Sequence, residues 1–292
     1  MPYAIAPLIG ALITVMNGLN SRFSESAGYF LAVPVIHVAG LATVSLVLLV
    51  RPEARRPGRL PLFYYSGGVF GVLTVFASSY AFAALGASFA VALSLVGQAL
   101  FSLAADATGL LGRRRYPLTL RSIPGVVLSL AGAAVMVGDW RADAPAMLAA
   151  LAAGIVPGFT FILNSELGTR KGLFRSVRVN YVAGLAASLL VLLASGQASE
   201  DFGARLAQAG AGLSLGGGIM GVVVVASMNY ILPRAPAFYA TLLAFSGQAL
   251  AGLTIDFAAE GLWDWRKLIG TMILLAGLGI NALLSRKDAG EA

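Results

Sequence analysis

Ten long apolar runs, separated by short polar loops, constrain this chain more than any other feature. A helix that crosses a bilayer needs about 20 mainly apolar residues. Ten segments meet that need: 3–20, 28–50, 61–84, 88–112, 121–138, 145–164, 174–196, 212–232, 235–259 and 267–286. Barrel strands would alternate polar and apolar positions over about ten residues. Runs such as Val126–Val137 are instead apolar at consecutive positions. The expected fold class is therefore all-α integral membrane, with ten transmembrane helices. Composition agrees, with 58% hydrophobic and 11% charged residues and a mean hydropathy of +0.84. That balance excludes a disordered chain, a nucleic-acid module and an ordinary cytosolic enzyme.

The charges set an orientation. Of the 20 Lys and Arg, 15 fall in the loops after helices 2, 4, 6 and 8 and in the C-terminal tail. The other 5 (Arg22, Arg141, Arg205, Arg266 and Lys267) fall on the opposite side. The positive-inside rule then places both termini in the cytoplasm of a cell whose inner membrane holds the protein. The net charge of +7 follows from this topology and needs no nucleic-acid partner. The chain has no Cys and one His. Disulfides, thiolate centres and His clusters are excluded, and no metal or cofactor is expected. The first residues enter an apolar run without a basic region, so no removable signal peptide is expected.

The two halves resemble each other. Asn20-Ser21 matches Asn164-Ser165, and Val38-Ala39-Gly40 matches Val182-Ala183-Gly184, at an offset of 144. Gly71-Val72, Tyr80, Gly97-Gln98-Ala99-Leu100 and Asp106 recur 150 residues later, as Gly221-Val222, Tyr230, Gly247-Gln248-Ala249-Leu250 and Asp256. Ala131-Gly132 recurs as Ala276-Gly277 at an offset of 145. Five helices is an odd number, so the second copy must lie inverted in the membrane. The expected units are 1–142 and 143–292. Inverted repeats of this kind build secondary transporters, whose substrate sites lie near the bilayer midplane where the repeats meet.

These features resemble the drug/metabolite transporter superfamily. The closer likeness is to small EamA-like inner-membrane exporters of five helices, here in tandem-fused form. The motifs that carry the resemblance are Asn20-Ser21-Arg22-Phe23, Val38-Ala39-Gly40, Gly97-Gln98 and Leu130-Ala131-Gly132. Their second-half equivalents are Asn164-Ser165-Glu166-Leu167-Gly168, Val182-Ala183-Gly184, Gly247-Gln248 and Leu275-Ala276-Gly277. The resemblance spans nearly the whole chain. It implies a transporter fold with a site between helices 1, 3, 4, 6, 8 and 9, and it names no substrate.

Polar side chains inside hydrocarbon are costly unless they face the bundle or water. Gln98 and Gln248 lie mid-helix, each behind a glycine. Either they hydrogen-bond a substrate as an amide pair near the pseudo-two-fold axis, or they join helices. Asn17 and Asn20 share a face of helix 1, and Asn164 repeats the second of them. Asn20 and Asn164 also read as helix caps. Tyr80, Tyr230 and Asn229 are candidates for a cavity wall, with packing as the alternative. His37, near mid-membrane, and Asp106 and Asp256 are the candidates for proton or ion coupling. The alternatives are a packed imidazole and interfacial carboxylates paired with basic residues. Arg22 and Glu166 occupy equivalent loop positions and are expected to be solvated.

The reading is an exporter of a small metabolite or amphipathic solute that works by alternating access. Its partners are that solute and membrane lipid. A fused repeat can function as a monomer, with a homodimer as the open alternative. The competing readings are a passive channel or lipid scramblase and a non-transporting accessory subunit. An intramembrane enzyme would need a buried nucleophile–base pair or a metal cluster, which one His and no Cys do not supply.

Overall fold

The computed structural model describes residues 5–54, 60–110, 123–137, 143–197, 201–231, 237–261 and 264–290. Ten α-helices account for nearly all of them: α1 Ala6–Ala27, α2 Tyr29–Val50, α3 Gly67–Leu85, α4 Ala87–Thr108, α5 Ile123–Val137, α6 Ala144–Lys171, α7 Leu173–Ser195, α8 Phe202–Ile231, α9 Ala237–Glu260 and α10 Trp265–Gly290. Among the described residues there is no strand. Five helices, α2, α3, α6, α7 and α8, are long and apolar enough by themselves to cross a membrane.

α3 begins at Gly67, six residues later than expected, after a 3-10 turn over Leu62–Tyr65, and two C-terminal boundaries differ from expectation for one reason. The apolar runs end at residues 20 and 164, but α1 and α6 each continue for seven residues beyond. The added turns are polar, with buried faces. Ser21, Ser24, Asn164 and Leu167 are all buried against neighbouring helices. α8 likewise starts earlier than its apolar run and kinks at Gly210. Single glycines join α1 to α2, α3 to α4 and α6 to α7. Gly28, Gly86 and Gly172 hold φ of 90°, 76° and 111°, a region costly for any residue with a Cβ.

Close glycine contacts reveal the symmetry. His37 on α2 packs on Gly184 of α7, and Tyr181 packs on Gly40. Advancing His37 and Gly40 by 144 residues gives Tyr181 and Gly184, so the crossing maps onto itself. α5 and α10 repeat the pattern, with Gly132 on Gly270 and Leu274, and Gly277 on Gly125 and Ser129. Off the axis, Gly247 packs on Pro7 and Ala11, and Gly97 packs on Leu151 and Ile155. Gly218 packs on the Ile36 carbonyl, and Gly68 on that of Asn180. Each pair is the repeat image of its partner.

In the α2–α7 and α5–α10 crossings the residue numbers run in opposite directions. A helix antiparallel to its own repeat image requires a two-fold axis perpendicular to both. The two five-helix repeats are therefore inverted, with the axis across the helices.

Packing does not divide the molecule at the repeat boundary. α1 packs most closely on α9 and α8, and α2 on α7 and α8; their images α6 and α7 pack on α4 and α3 in the same way. Two bodies result. One contains α1, α2, α8 and α9; the other contains α6, α7, α3 and α4. Each takes two helices from each repeat. α5 and α10 pair with each other beside them.

Candidate functional site

Helices α1, α9, α4 and α6 pack in series, and the expected amides fall on them. Gly10 and Thr14 turn toward α9, whereas Ser21 and Ser24 turn toward α3. Asn17 lies three residues after Thr14 and four before Ser21, on the face between α9 and α3. It is half-buried and bonds no other described residue. Its repeat image on α6 is Phe161, also half-buried. The two ends of this series thus differ in polarity.

Gln98 on α4 is half-buried and likewise bonds no other described residue. Gln248 on α9 is 2% exposed, and its Nε2 has no partner among the described residues. Its backbone carbonyl accepts a hydrogen bond from Thr14 Oγ1 at 3.2 Å, which ties α9 to α1. The two glutamines do not face one another. Gly252 lies against Ser88, and Asp256 bonds the start of α4, so α4 and α9 run antiparallel. Extending that register puts Gln248 opposite Ala92. The glutamines therefore sit on opposite sides of the crossing.

Asn20 and Asn164 are not caps. Each is seven residues inside its helix, at 2% and 1% exposure. Asn20 Oδ1 rests on Cα of Gly217, and Asn164 Oδ1 on Cα of Gly67, another pair related by the repeat. Neither oxygen has an N–H or O–H partner. A contact that recurs in both repeats fits Cα–H···O packing. Asn164 Nδ2 also donates to Asn180 Oδ1 at 2.9 Å, and the image of Asn180 is Ile36. Asn229, buried on α8, donates from Nδ2 to Ser176 Oγ at 3.1 Å, while its Oδ1 has no partner.

The titratable candidates hold helices together. His37 is buried on the two-fold axis. Its Nδ1 donates to the Val33 carbonyl at 2.8 Å, and its ring packs edge-on to Tyr181 at 5.9 Å. Asp256 accepts from the Ala87 and Ser88 backbone N–H groups at 3.0 and 3.1 Å and from Lys267 Nζ at 3.0 Å. It caps the first turn of α4 from α9, where the helix dipole favours a negative charge. Asp106 lies on α4, but its side chain is outside the described residues. Tyr80, on α3, is exposed and donates to Asp143 Oδ2 at 2.8 Å, beside the start of α6; Tyr230 is exposed on α8. Arg22 and Glu166 stand on helices rather than in loops. Arg22 is exposed, and Glu166 pairs with Arg170 one turn on.

Sequence reasoning missed three groups. Glu53 accepts from the Phe174 and Arg175 N–H groups at 3.0 and 3.1 Å, and the Arg175 guanidinium donates back to its carbonyl at 2.7 and 3.1 Å. Ser21, Ser24 and Ser79 bond across α1 and α3. Asn180 and Ser176 form the amide and hydroxyl cluster on α7. A signal existed for the last group, because Asn180 and Ser176 stand opposite apolar Ile36 and Ala32 in the other repeat.

Among the described residues, no group of three or more His, Asp or Glu is placed to hold a metal. Asn17, Gln98 and Gln248 offer amide groups and no fixed charge. Such groups can exchange hydrogen bonds with a polar, uncharged or zwitterionic solute.

Comparison with known proteins fits this architecture. A solved crystal structure described only as "Crystal structure of protein" superposes with a TM-score of 0.67 at 19% identity, over 97% of this chain and 98% of its own. That likeness establishes the shared fold. No curated protein matches the chain. The model of a family described as "Putative inner membrane exporter, YdcZ" matches twice, over residues 1–135 and 145–280. The chain therefore belongs to this YdcZ family of the drug/metabolite transporters and carries the family's five-helix unit in tandem.

Proposed function

We propose that the protein is a secondary transporter that exports a small solute across the inner membrane by alternating access, with both termini in the cytoplasm. What supports this reading is that Asn17, Gln98 and Gln248 Nε2 have no partner among the described residues, on helices α1, α4 and α9 that belong to two bodies the repeat maps onto one another. Inside a bilayer, an amide with no partner costs free energy that a bound polar solute can recover. Exchanging the conformations of inverted units turns an inward-facing site outward. The expected units, 1–142 and 143–292, supply those two copies within one chain.

The solute class is neutral or zwitterionic, since the amides present donors and acceptors but no countercharge. Asp256 and His37 serve this reading as structural groups, because both Asp256 oxygens are engaged by protein and the His37 ring packs on Gly184 and Tyr181 with its Nδ1 bonded to Val33. Transport is then facilitated, or coupled through a group other than these two.

A thermal-shift screen of metabolites on the purified protein tests the reading, followed by flux of any hit into proteoliposomes. Saturable flux that Gln98→Ala weakens supports the carrier. Voltage-driven single-channel currents would make the protein a pore instead.

A further inference from the structure

The two bodies meet at four main places. Two lie on the pseudo-two-fold axis, α2 with α7 and α4 with α9, and the repeat carries each onto itself. The other two are seams off the axis, α1 with α3 and α6 with α8, and the repeat carries one onto the other. Both seams join parallel helices near their C-terminal ends. In an inverted arrangement they therefore close opposite faces of the molecule.

The seams are built unequally. Across α1 and α3, Ser21 Oγ donates to the Ser79 carbonyl at 3.0 Å, and Ser24 Oγ donates to Ser79 Oγ at 3.4 Å. All three serines are buried. At the equivalent places in the other seam stand Ser165, Gly168 and Asn229. Ser165 Oγ donates to the Ile162 carbonyl of its own helix at 2.9 Å. Gly168 has no side chain to offer. Asn229 turns its Nδ2 to Ser176 on α7, and its Oδ1 is buried without a partner. None of these three bonds between α6 and α8; only Asn229 reaches the other body, through α7.

Opening the first seam breaks buried hydrogen bonds. Opening the second parts a single buried bond at these positions, from Asn229 Nδ2 to Ser176 Oγ of α7, and lets water reach the Asn229 Oδ1 that has no partner when closed. A buried acceptor left unmet is costly, so hydration favours the open form. We infer that the α6–α8 seam is the entrance that opens in the resting protein and the α1–α3 seam is its resting seal. This inference rests on the carrier reading and deepens it. With the N-terminus cytoplasmic, the entrance faces the cytosol, the side from which an exporter loads.

The repeat itself supplies the test. Gly168→Ser installs the residue that Ser24 represents in the other seam. A Cβ there lies 3.2 Å from Ser176 Oγ and 3.8 Å from Asn229 Cβ, so it fits with a few tenths of an ångström of give. Ser24→Gly makes the reverse exchange. The chain has no Cys, so one cysteine introduced as Phe161→Cys is a clean reporter. It lies seven residues before Gly168, on the inner side of that seam. Labelling with a membrane-impermeant maleimide is compared in inside-out and right-side-out vesicles.

The parent should label faster from the cytoplasmic face. Gly168→Ser should shift the ratio toward the outside by roughly fivefold to tenfold, the population change that one hydrogen bond makes. Ser24→Gly should also shift it outward, by loosening the seal. An unchanged ratio in both variants, with melting temperature and elution volume retained, overturns the assignment of the seams while leaving the carrier intact. Labelling from neither face, or equally from both in every variant, overturns the assignment and the carrier reading together.

Discussion

Gly68 and Gly218 show how little room the packing leaves. A Cβ on either would strike the backbone of Asn180 or Ile36. Backbone cannot step aside as a flexible side chain can, so Gly68→Ala should destabilise the protein by about 1–3 kcal/mol or more. The check is the thermal unfolding midpoint in detergent, with Gly71→Ala as the control, because nothing lies within 4 Å of a Cβ at Gly71. Asp256→Ala should likewise cost about 1–3 kcal/mol, since it strands two N–H groups of α4 and removes the ion pair to Lys267. If Asp256 is a cap, the pH profile of transport should keep its shape in that variant; a lost acid limb would make it a coupling residue. Gln98→Ala removes a solute contact and not a packing bond. It should weaken solute affinity roughly fivefold to tenfold, read as a smaller thermal shift at fixed solute, with the unliganded midpoint nearly unchanged.

At the scale of the helix, much was legible and the gaps have physical causes. Apolar runs located all ten helices because hydropathy averages over turns. The same averaging cut α1 and α6 short at Asn20 and Asn164, since it cannot tell a polar face against water from one against Gly217 or Gly67. The glycine motifs were legible because identity at fixed offsets needs no geometry. Their partners were not, since a Gly shows that something approaches closely without naming what. Asp256 read as a coupling carboxylate or an interfacial one paired with a basic residue; its role as a cap was not legible, because a cap supplied by a different helix leaves no local pattern in either. The glutamines read, from their equivalent positions, as an amide pair near the two-fold axis or as helix-joining groups. Antiparallel register separates them. At this scale Glu53 matters as well. It clamps the start of α7 to the end of α2, and its image, Gln197, is exposed and carries no charge. Glu53→Gln should lower the unfolding midpoint, whereas Gln197→Ala should not.

The whole molecule is two bodies that each mix the repeats. Cutting at residue 142 would divide both bodies, because α1 packs on α8 and α9 and α6 packs on α3 and α4. The separate halves should therefore fold only when co-expressed, as judged by recovery of one monodisperse complex. The repeat was visible in the sequence, but this exchange of helices was not, because periodicity records a buried face and not its neighbour. In the proposed cycle the two bodies rock about their shared axis and present one amide-lined site to each face in turn. The most direct test is counterflow. Proteoliposomes are loaded with a solute identified by thermal shift and diluted into a trace of the labelled compound. The account predicts a transient, saturable accumulation of label above equilibrium that Gln98→Ala diminishes. Label that only rises to equilibrium, at a rate linear in concentration, would contradict it.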